Sequence, residues 1–135
     1  MIGRVLAVAM LNVALAHGAA FANPDPADWD RIEDAARDQT VYFNAWGGSE
    51  NINSYLEWAA SELRARHGVE LVHVKLDDTA SAVATVIAEK AAGRSEGGTI
   101  DLIWINGENF ASMKQQELLF SPGWSESLPN WRYVD

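Results

Sequence analysis

Three segments of the chain pair a short apolar run with a longer amphipathic stretch, and this alternation predicts the fold. The apolar runs are 41–43, 69–76 and 100–105. After each run, apolar residues recur at the spacing i, i+3, i+4, i+7, which is typical of a helix with one buried face. Strands that alternate with helices form a parallel sheet with right-handed crossovers. The predicted fold class is therefore α/β, with a mostly parallel three-stranded sheet flanked by helices.

Helix boundaries follow from the polar and glycine positions. Ser49 is placed to cap the first of these helices, which ends at His67-Gly68, and Asp78 or Thr79 is placed to cap the second, which Gly93 closes. The third helix is predicted over 108–117. The residues expected to face inward are Ile52, Tyr55, Leu56, Ala59 and Leu63 in the first helix, Ala80, Val83, Val86, Ile87 and Ala91 in the second, and Phe110 and Met113 in the third.

Two other segments carry weaker patterns. A short helix is predicted over 26–37, capped by Asp25, with Trp29 on its inward face. The run 100–105 has five apolar residues in six, which predicts a strand buried on both faces, as in the centre of a parallel sheet. From Leu118 onward no clear period remains.

Residues 1–22 have the pattern of a secretory signal. Arg4 gives a positive start, residues 5–16 are apolar apart from Asn12, and Ala20-Phe21-Ala22 forms an A-x-A cleavage site. The apolar run is too short for a membrane span of about 20 residues. We therefore expect cleavage after Ala22, a domain over 23–135 that is not embedded in a membrane, and a periplasmic location.

Composition narrows the possible partners. The chain has 135 residues, 48% of them hydrophobic, which suits one globular domain. A formal net charge of −9 without a cluster of Lys or Arg argues against nucleic acid as a partner. The absence of cysteine means that export requires no disulfide.

A ligand site is expected at one edge of the sheet, because open parallel sheets bind ligands outside the carboxyl ends of their strands. At this edge each strand leads into a helix N-terminus. The candidate ligand-binding residues are Asn44, Trp46, Gly47, Gly48 and Ser49 after the first strand, Asp78 and Thr79 after the second, and Asn106, Gly107 and Glu108 after the third.

These candidates also have purely structural interpretations. Ser49, Thr79 and Asn106 are preferred capping residues, and Gly47-Gly48 suits a tight turn. Trp46 fits either the core or stacking on a ligand. The acidic side chains at 77, 78 and 108 favour a cationic or hydroxyl-rich ligand, whereas helix N-termini favour an anion, so the charge of the ligand stays open.

The sequence carries no recognisable catalytic motif. His67 and His73 lack a second ligand at metal-binding spacing, and Gly47-Gly48-Ser49 is not a G-x-S-x-G elbow. The glycines do not extend to G-x-G-x-x-G, which argues against a dinucleotide. We expect no cofactor, no metal and no enzymatic activity.

Four segments resemble the N-terminal portion of extracellular solute-binding proteins of bacterial ABC importers, near the thiamine-, polyamine- and iron-binding group. They are 41–48, 78–83, 88–94 and 101–110. The resemblance implies a lobe that binds a small solute against a second lobe and then docks on a membrane permease, without catalysis. It also implies that Asn44, Trp46, Gly48, Asn106 and Glu108 face the cleft.

Such proteins need roughly two to three times this length, so residues 23–135 are expected to be a truncated N-terminal lobe. Two other interpretations stay open. One is a complete small secreted interaction domain whose aromatic tail, 120–133, packs on the core or on a partner. The other is a periplasmic α/β hydrolase that uses Asp77, Asp78 or Glu108 as acid or base.

Overall fold

The computed structural model describes residues 25–121 and 123–134, and they form a three-stranded parallel sheet flanked by helices. The strands are β1 (Thr40–Trp46), β2 (Glu70–Leu76) and β3 (Leu102–Ile103), in the order β2-β1-β3. The predicted α/β class is confirmed. The predicted signal peptide and its cleavage site lie outside the described residues.

Four α-helices and two 3₁₀ turns accompany the strands. The helices are α1 (Trp29–Ala36), α2 (Glu50–His67), α3 (Thr79–Ala91) and α4 (Gly107–Gln115), and the turns span Ser125–Ser127 and Pro129–Tyr133. Helix α2 packs against β2, α3 packs against β1 and β2, and α4 packs against α3.

The pairing of β1 with β2 is regular over seven residues, from Thr40 opposite Glu70 to Trp46 opposite Leu76. Strand β1 is longer than the predicted run 41–43 because Asn44, Ala45 and Trp46 continue its pairing with β2. Strand β1 also pairs with β3 on its other side. The centre of the described sheet is therefore β1.

The prediction for 100–105 as a buried central strand is wrong. Only Leu102 and Ile103 pair with β1, at one edge of the sheet, and the side chains of Leu102 and Trp104 are each 52% exposed. The late start of the strand has a physical reason at Asp101, whose carboxylate accepts the Tyr42 N–H at 2.8 Å. That side-chain bond takes a β1 donor which a longer strand would otherwise use.

The start of the first helix also differs from the prediction. Helix α1 begins at Trp29, after an N-cap at Asp28 whose carboxylate accepts the Arg31 N–H at 3.2 Å. Asp25 instead accepts the Ala27 N–H at 2.9 Å and shapes the turn before the helix. The predicted inward residue Trp29 is 56% exposed, and its indole N–H donates to Glu33 at 3.0 Å.

The glycine stop of α2 is confirmed. Gly68 follows the last residue of the helix with φ of 69°, a left-handed conformation that glycine adopts without steric cost, and its N–H donates to the Arg64 carbonyl at 3.1 Å. Helix α4 begins one residue before the predicted Glu108 and ends two residues before the predicted Glu117.

The predicted inward faces are confirmed in part. Leu56, Val83 and Met113 are buried, whereas Tyr55, Ile87 and Phe110 are exposed. Tyr55 instead lies against Trp58 on the outer side of α2, with ring centroids 5.5 Å apart. The buried apolar side chains are Ala45, Leu56, Ala82, Val83 and Met113. Among the described residues, no helix is both long and apolar enough to cross a membrane.

Candidate functional site

The carboxyl end of β1 and the segment after β3 border a cavity of about 250 Å³. Six residues line it, namely Trp46, Ile52, Thr79, Trp104, Ile105 and Asn106. They come from the end of β1, the first turns of α2 and α3, and the segment that follows β3. The cavity thus lies at the carboxyl end of the sheet, where an open parallel sheet is expected to hold a ligand.

Trp46 forms one side of the cavity, and its position depends on Gly48. A Cβ atom built on Gly48 would lie 2.4 Å from Cζ2 and 2.8 Å from Nε1 of the Trp46 indole. The ring is therefore folded back over the α-carbon of Gly48, where only glycine leaves space. The side chain remains 49% exposed, so its other face is accessible to a ligand.

Trp104 is held by hydrogen bonds on both sides of its backbone. Its N–H donates to the Asn44 carbonyl at 2.9 Å, which connects it to β1. Its carbonyl accepts the Thr79 hydroxyl at 3.3 Å, which connects it to the first turn of α3. These two bonds fix the segment after β3 between β1 and α3, while the Trp104 side chain stays half exposed.

Asn106 contributes a polar group to the cavity. Its side-chain oxygen accepts the Asn109 N–H at 3.2 Å and caps α4. Within the part of the chain that the structure describes, its Nδ2 amino group makes no hydrogen bond. Asn106 therefore combines its predicted capping role with a donor that a ligand can use.

The lining of the cavity carries no formal charge, since it consists of tryptophan, isoleucine, threonine and asparagine. The Asp78 carboxylate accepts the Ala80 N–H at 2.9 Å and so serves as the cap of α3. The Lys75 side chain lies beside Gly47: a Cβ atom built on Gly47 would be 2.7 Å from the Cβ atom of Lys75.

The structure brings three of the predicted site residues into the lining, namely Trp46, Thr79 and Asn106. The other predicted residues are outside it: Asn44, Gly47, Gly48, Ser49, Asp78, Gly107 and Glu108. Asn44 is only 5% exposed in the sheet. Ser49 occupies the N-cap position of α2 without a side-chain capping bond, and the Gly47 carbonyl accepts Nδ2 of Asn53 at 3.0 Å.

Three lining residues were not among the predicted site residues. Trp104 and Ile105 were assigned to a buried strand, and Ile52 to the inward stripe of α2. A usable signal was present for Trp104, because it lies near the end of the third apolar run and Trp46 lies shortly after the first. A tryptophan at or just after the end of two strands points to the same end of the sheet twice.

His67 and His73 lie outside the cavity. Nε2 of His73 is 3.2 Å from the Ala45 carbonyl, and Nδ1 of His67 is 3.8 Å from a Glu33 carboxylate oxygen. Over residues 25–121 and 123–134, no group of three or more histidine and acidic side chains is arranged to hold a metal ion.

Comparison with known proteins identifies one relative and corrects one prediction. The chain is 51% identical over 108 residues to "Protein YnjB" of Escherichia coli (strain K12), a match that covers 80% of this chain and 28% of the relative. No protein-family model and no solved structure matches the chain. The relative's name is not that of a solute-binding protein, so the assignment to that family, made from the four resembling segments, is wrong.

Proposed function

We propose that this chain supplies one wall of a binding cleft for a small solute in the periplasm, from which the solute passes to a membrane permease. The observation that carries the proposal is the cavity at the carboxyl end of the sheet, between the end of β1, the segment after β3 and the first turns of α2 and α3. The proposed role is binding without catalysis. It does not depend on membership of the extracellular solute-binding family.

The chemistry of the lining supports a binding role. Sites for small molecules are concave and largely apolar, with a few polar groups that orient the ligand. Here two indoles and two isoleucines provide the apolar surface, and Thr79 and Asn106 provide the polar groups. The Thr79 hydroxyl donates to the Trp104 carbonyl, so its oxygen can still accept a hydrogen bond.

The size of the cavity favours a cleft with a second wall. Sites that enclose a whole small molecule are about 300–1,000 Å³, and this cavity is about 250 Å³. The chain spans only 28% of the relative's length. In a longer protein of this kind, the remaining chain has ample length to form an opposing wall.

The proposal is tested by a thermal-shift screen of the full-length protein as its host makes it. The panel consists of amino acids, sugars, polyamines, phosphate, sulfate and planar nitrogen heterocycles. At least one solute is expected to raise the melting temperature in a saturable manner, because a ligand that binds only the native state stabilises it. If no solute in the panel does so, the proposal is contradicted.

A matched pair of variants locates the binding. Ile52→Trp places a larger side chain in the lining and is expected to abolish the shift, whereas Ile87→Trp, at an exposed position of α3 outside the lining, is expected to retain it. Each variant is first checked for cooperative melting in the absence of solute. A shift that persists in a folded Ile52→Trp protein would place the binding elsewhere.

A further inference from the structure

Two half-exposed tryptophans line the same cavity. Trp46 is 49% exposed and ends β1, and Trp104 is 52% exposed and follows β3. Among the described residues, the ring–ring contact that is found joins Tyr55 and Trp58, not Trp46 and Trp104. The two indoles therefore border the cavity without covering one another, and each offers apolar ring surface to a third group.

We infer that the part of the solute held by this wall is a flat heteroaromatic ring, bound against the indoles of Trp46 and Trp104, with one hydrogen bond from Nδ2 of Asn106. The inference rests on the proposed function and names the class of ligand. Flat rings gain most from such a surface because stacked and edge-to-face aromatic contacts stabilise beyond the burial of area alone.

Asn106 gives the ring a defined orientation. One lone pair of its oxygen is used by the Asn109 N–H at 3.2 Å, whereas neither N–H of Nδ2 is used within the described residues, so the amide offers mainly a donor. A ring nitrogen or a carbonyl attached to a ring is an acceptor of the kind that pairs with this amide. A volume of about 250 Å³ suits one part of a solute rather than a whole larger molecule.

Two other ligand classes fit the lining less well. A sugar would bring several hydroxyl groups to a wall that offers them only Thr79 and Asn106 as polar side chains, and buried hydroxyls without partners weaken binding. A cation is attracted by indole faces, but the lining contains no carboxylate to balance its charge.

The experiment uses four probes with the full-length protein: nicotinamide, isobutyramide, glucose and tetramethylammonium. Nicotinamide and isobutyramide share the carboxamide, but only nicotinamide has a flat ring. Calorimetric titration at millimolar concentration is expected to show saturable binding of nicotinamide, with the other three at least several-fold weaker. Trp46→Ala and Trp104→Ala are each expected to weaken nicotinamide roughly ten-fold.

Trp58→Ala is the matched control, since Trp58 is 56% exposed on α2 and does not line the cavity. It is expected to leave nicotinamide binding unchanged. Unchanged binding in Trp46→Ala and Trp104→Ala proteins that melt normally would overturn the inference. So would an absence of saturable nicotinamide binding, or an affinity for isobutyramide, glucose or tetramethylammonium equal to that for nicotinamide.

Failure of this inference is distinguishable from failure of the proposed function. Suppose that the thermal-shift screen identifies a solute whose effect is lost in Ile52→Trp but which binds equally well to the wild type, Trp46→Ala and Trp104→Ala. The proposed binding cleft is then supported, and the proposed binding of a heteroaromatic ring against the two indoles is contradicted. If the screen identifies no solute at all, the proposed function itself fails.

Discussion

The indole of Trp46 lies directly over the α-carbon of Gly48, at a distance that leaves no space for a Cβ atom on the glycine. A Cβ built there would be 2.4 Å from Cζ2 of the ring, closer than real contacts allow. Gly48 does not line the cavity, yet it determines where one of the lining side chains can lie. It is therefore a positioning residue for the candidate site.

Gly48→Ala is expected to displace the Trp46 ring and to weaken solute binding roughly ten-fold, because the new methyl group occupies the space of the indole. The ring lies at the far end of a half-exposed side chain and can move, so the melting temperature is expected to change little. Gly107→Ala is the control, since a Cβ at that position meets nothing within 4 Å.

Affinity is measured by calorimetric titration with the solute that the thermal-shift screen identifies. The positioning role of Gly48 is contradicted if Gly48→Ala and Gly107→Ala bind that solute equally well.

The hydrogen bond between Thr79 and Trp104 connects α3 to the segment after β3. Thr79→Val keeps the shape of the side chain but removes the hydroxyl that donates to the Trp104 carbonyl at 3.3 Å. It is expected to lower the free energy of unfolding by about 1 kcal/mol. Urea denaturation measures this loss. Thr79→Ser retains the hydroxyl and is expected to lose less; an equal or larger loss in Thr79→Ser would contradict a role for the bond.

Asp101 limits the length of β3 through its bond to the Tyr42 N–H at 2.8 Å. Asp101→Ala removes this acceptor and is expected to destabilise the protein by about 1 kcal/mol, less than is usual for a charged partner because the bond is exposed. Asp101→Asn retains an acceptor oxygen and is expected to fall between the wild type and Asp101→Ala in thermal unfolding. The reverse order of the two variants would be inconsistent with this role.

Met113 on α4 is only 2% exposed, whereas Phe110 on the same helix is 45% exposed. Met113→Ala is expected to destabilise by about 2–5 kcal/mol, because it removes a buried side chain and leaves a cavity. Phe110→Ala is expected to cost clearly less, although phenylalanine is the larger residue. Urea denaturation of both variants measures the difference, and an equal cost would contradict the difference in burial.

The sequence is sufficient to predict elements whose signals are local. Gly68 after a long amphipathic stretch identifies the end of α2, and the pair Asp78-Thr79 identifies the start of α3, where the structure places the cap at Asp78. The end of the sheet at which the cavity lies is also predictable, because open parallel sheets bind ligands outside the carboxyl ends of their strands.

The remaining features depend on contacts that are distant along the chain. The apolar run 100–105 indicates a buried strand, but its neighbours in the sheet are determined by pairing, and Asp101 bonds to a residue 59 positions away. Trp104 lines the cavity because its backbone is hydrogen-bonded to the Asn44 carbonyl and to the Thr79 hydroxyl. Periodicity also failed at Tyr55, which occupies an apolar position of the helical stripe and yet lies on the outer side.

A nitrogen-15 NMR titration that follows the indole N–H signals of the full-length protein, assigned by single substitutions, tests the proposed solute cleft directly. The titrant is the solute that the thermal-shift screen identifies. We expect saturable shifts of the Trp46 and Trp104 signals, while those of Trp29 and Trp58 stay in place. Saturable binding that leaves the Trp46 and Trp104 signals unchanged would contradict a solute cleft at this edge of the sheet.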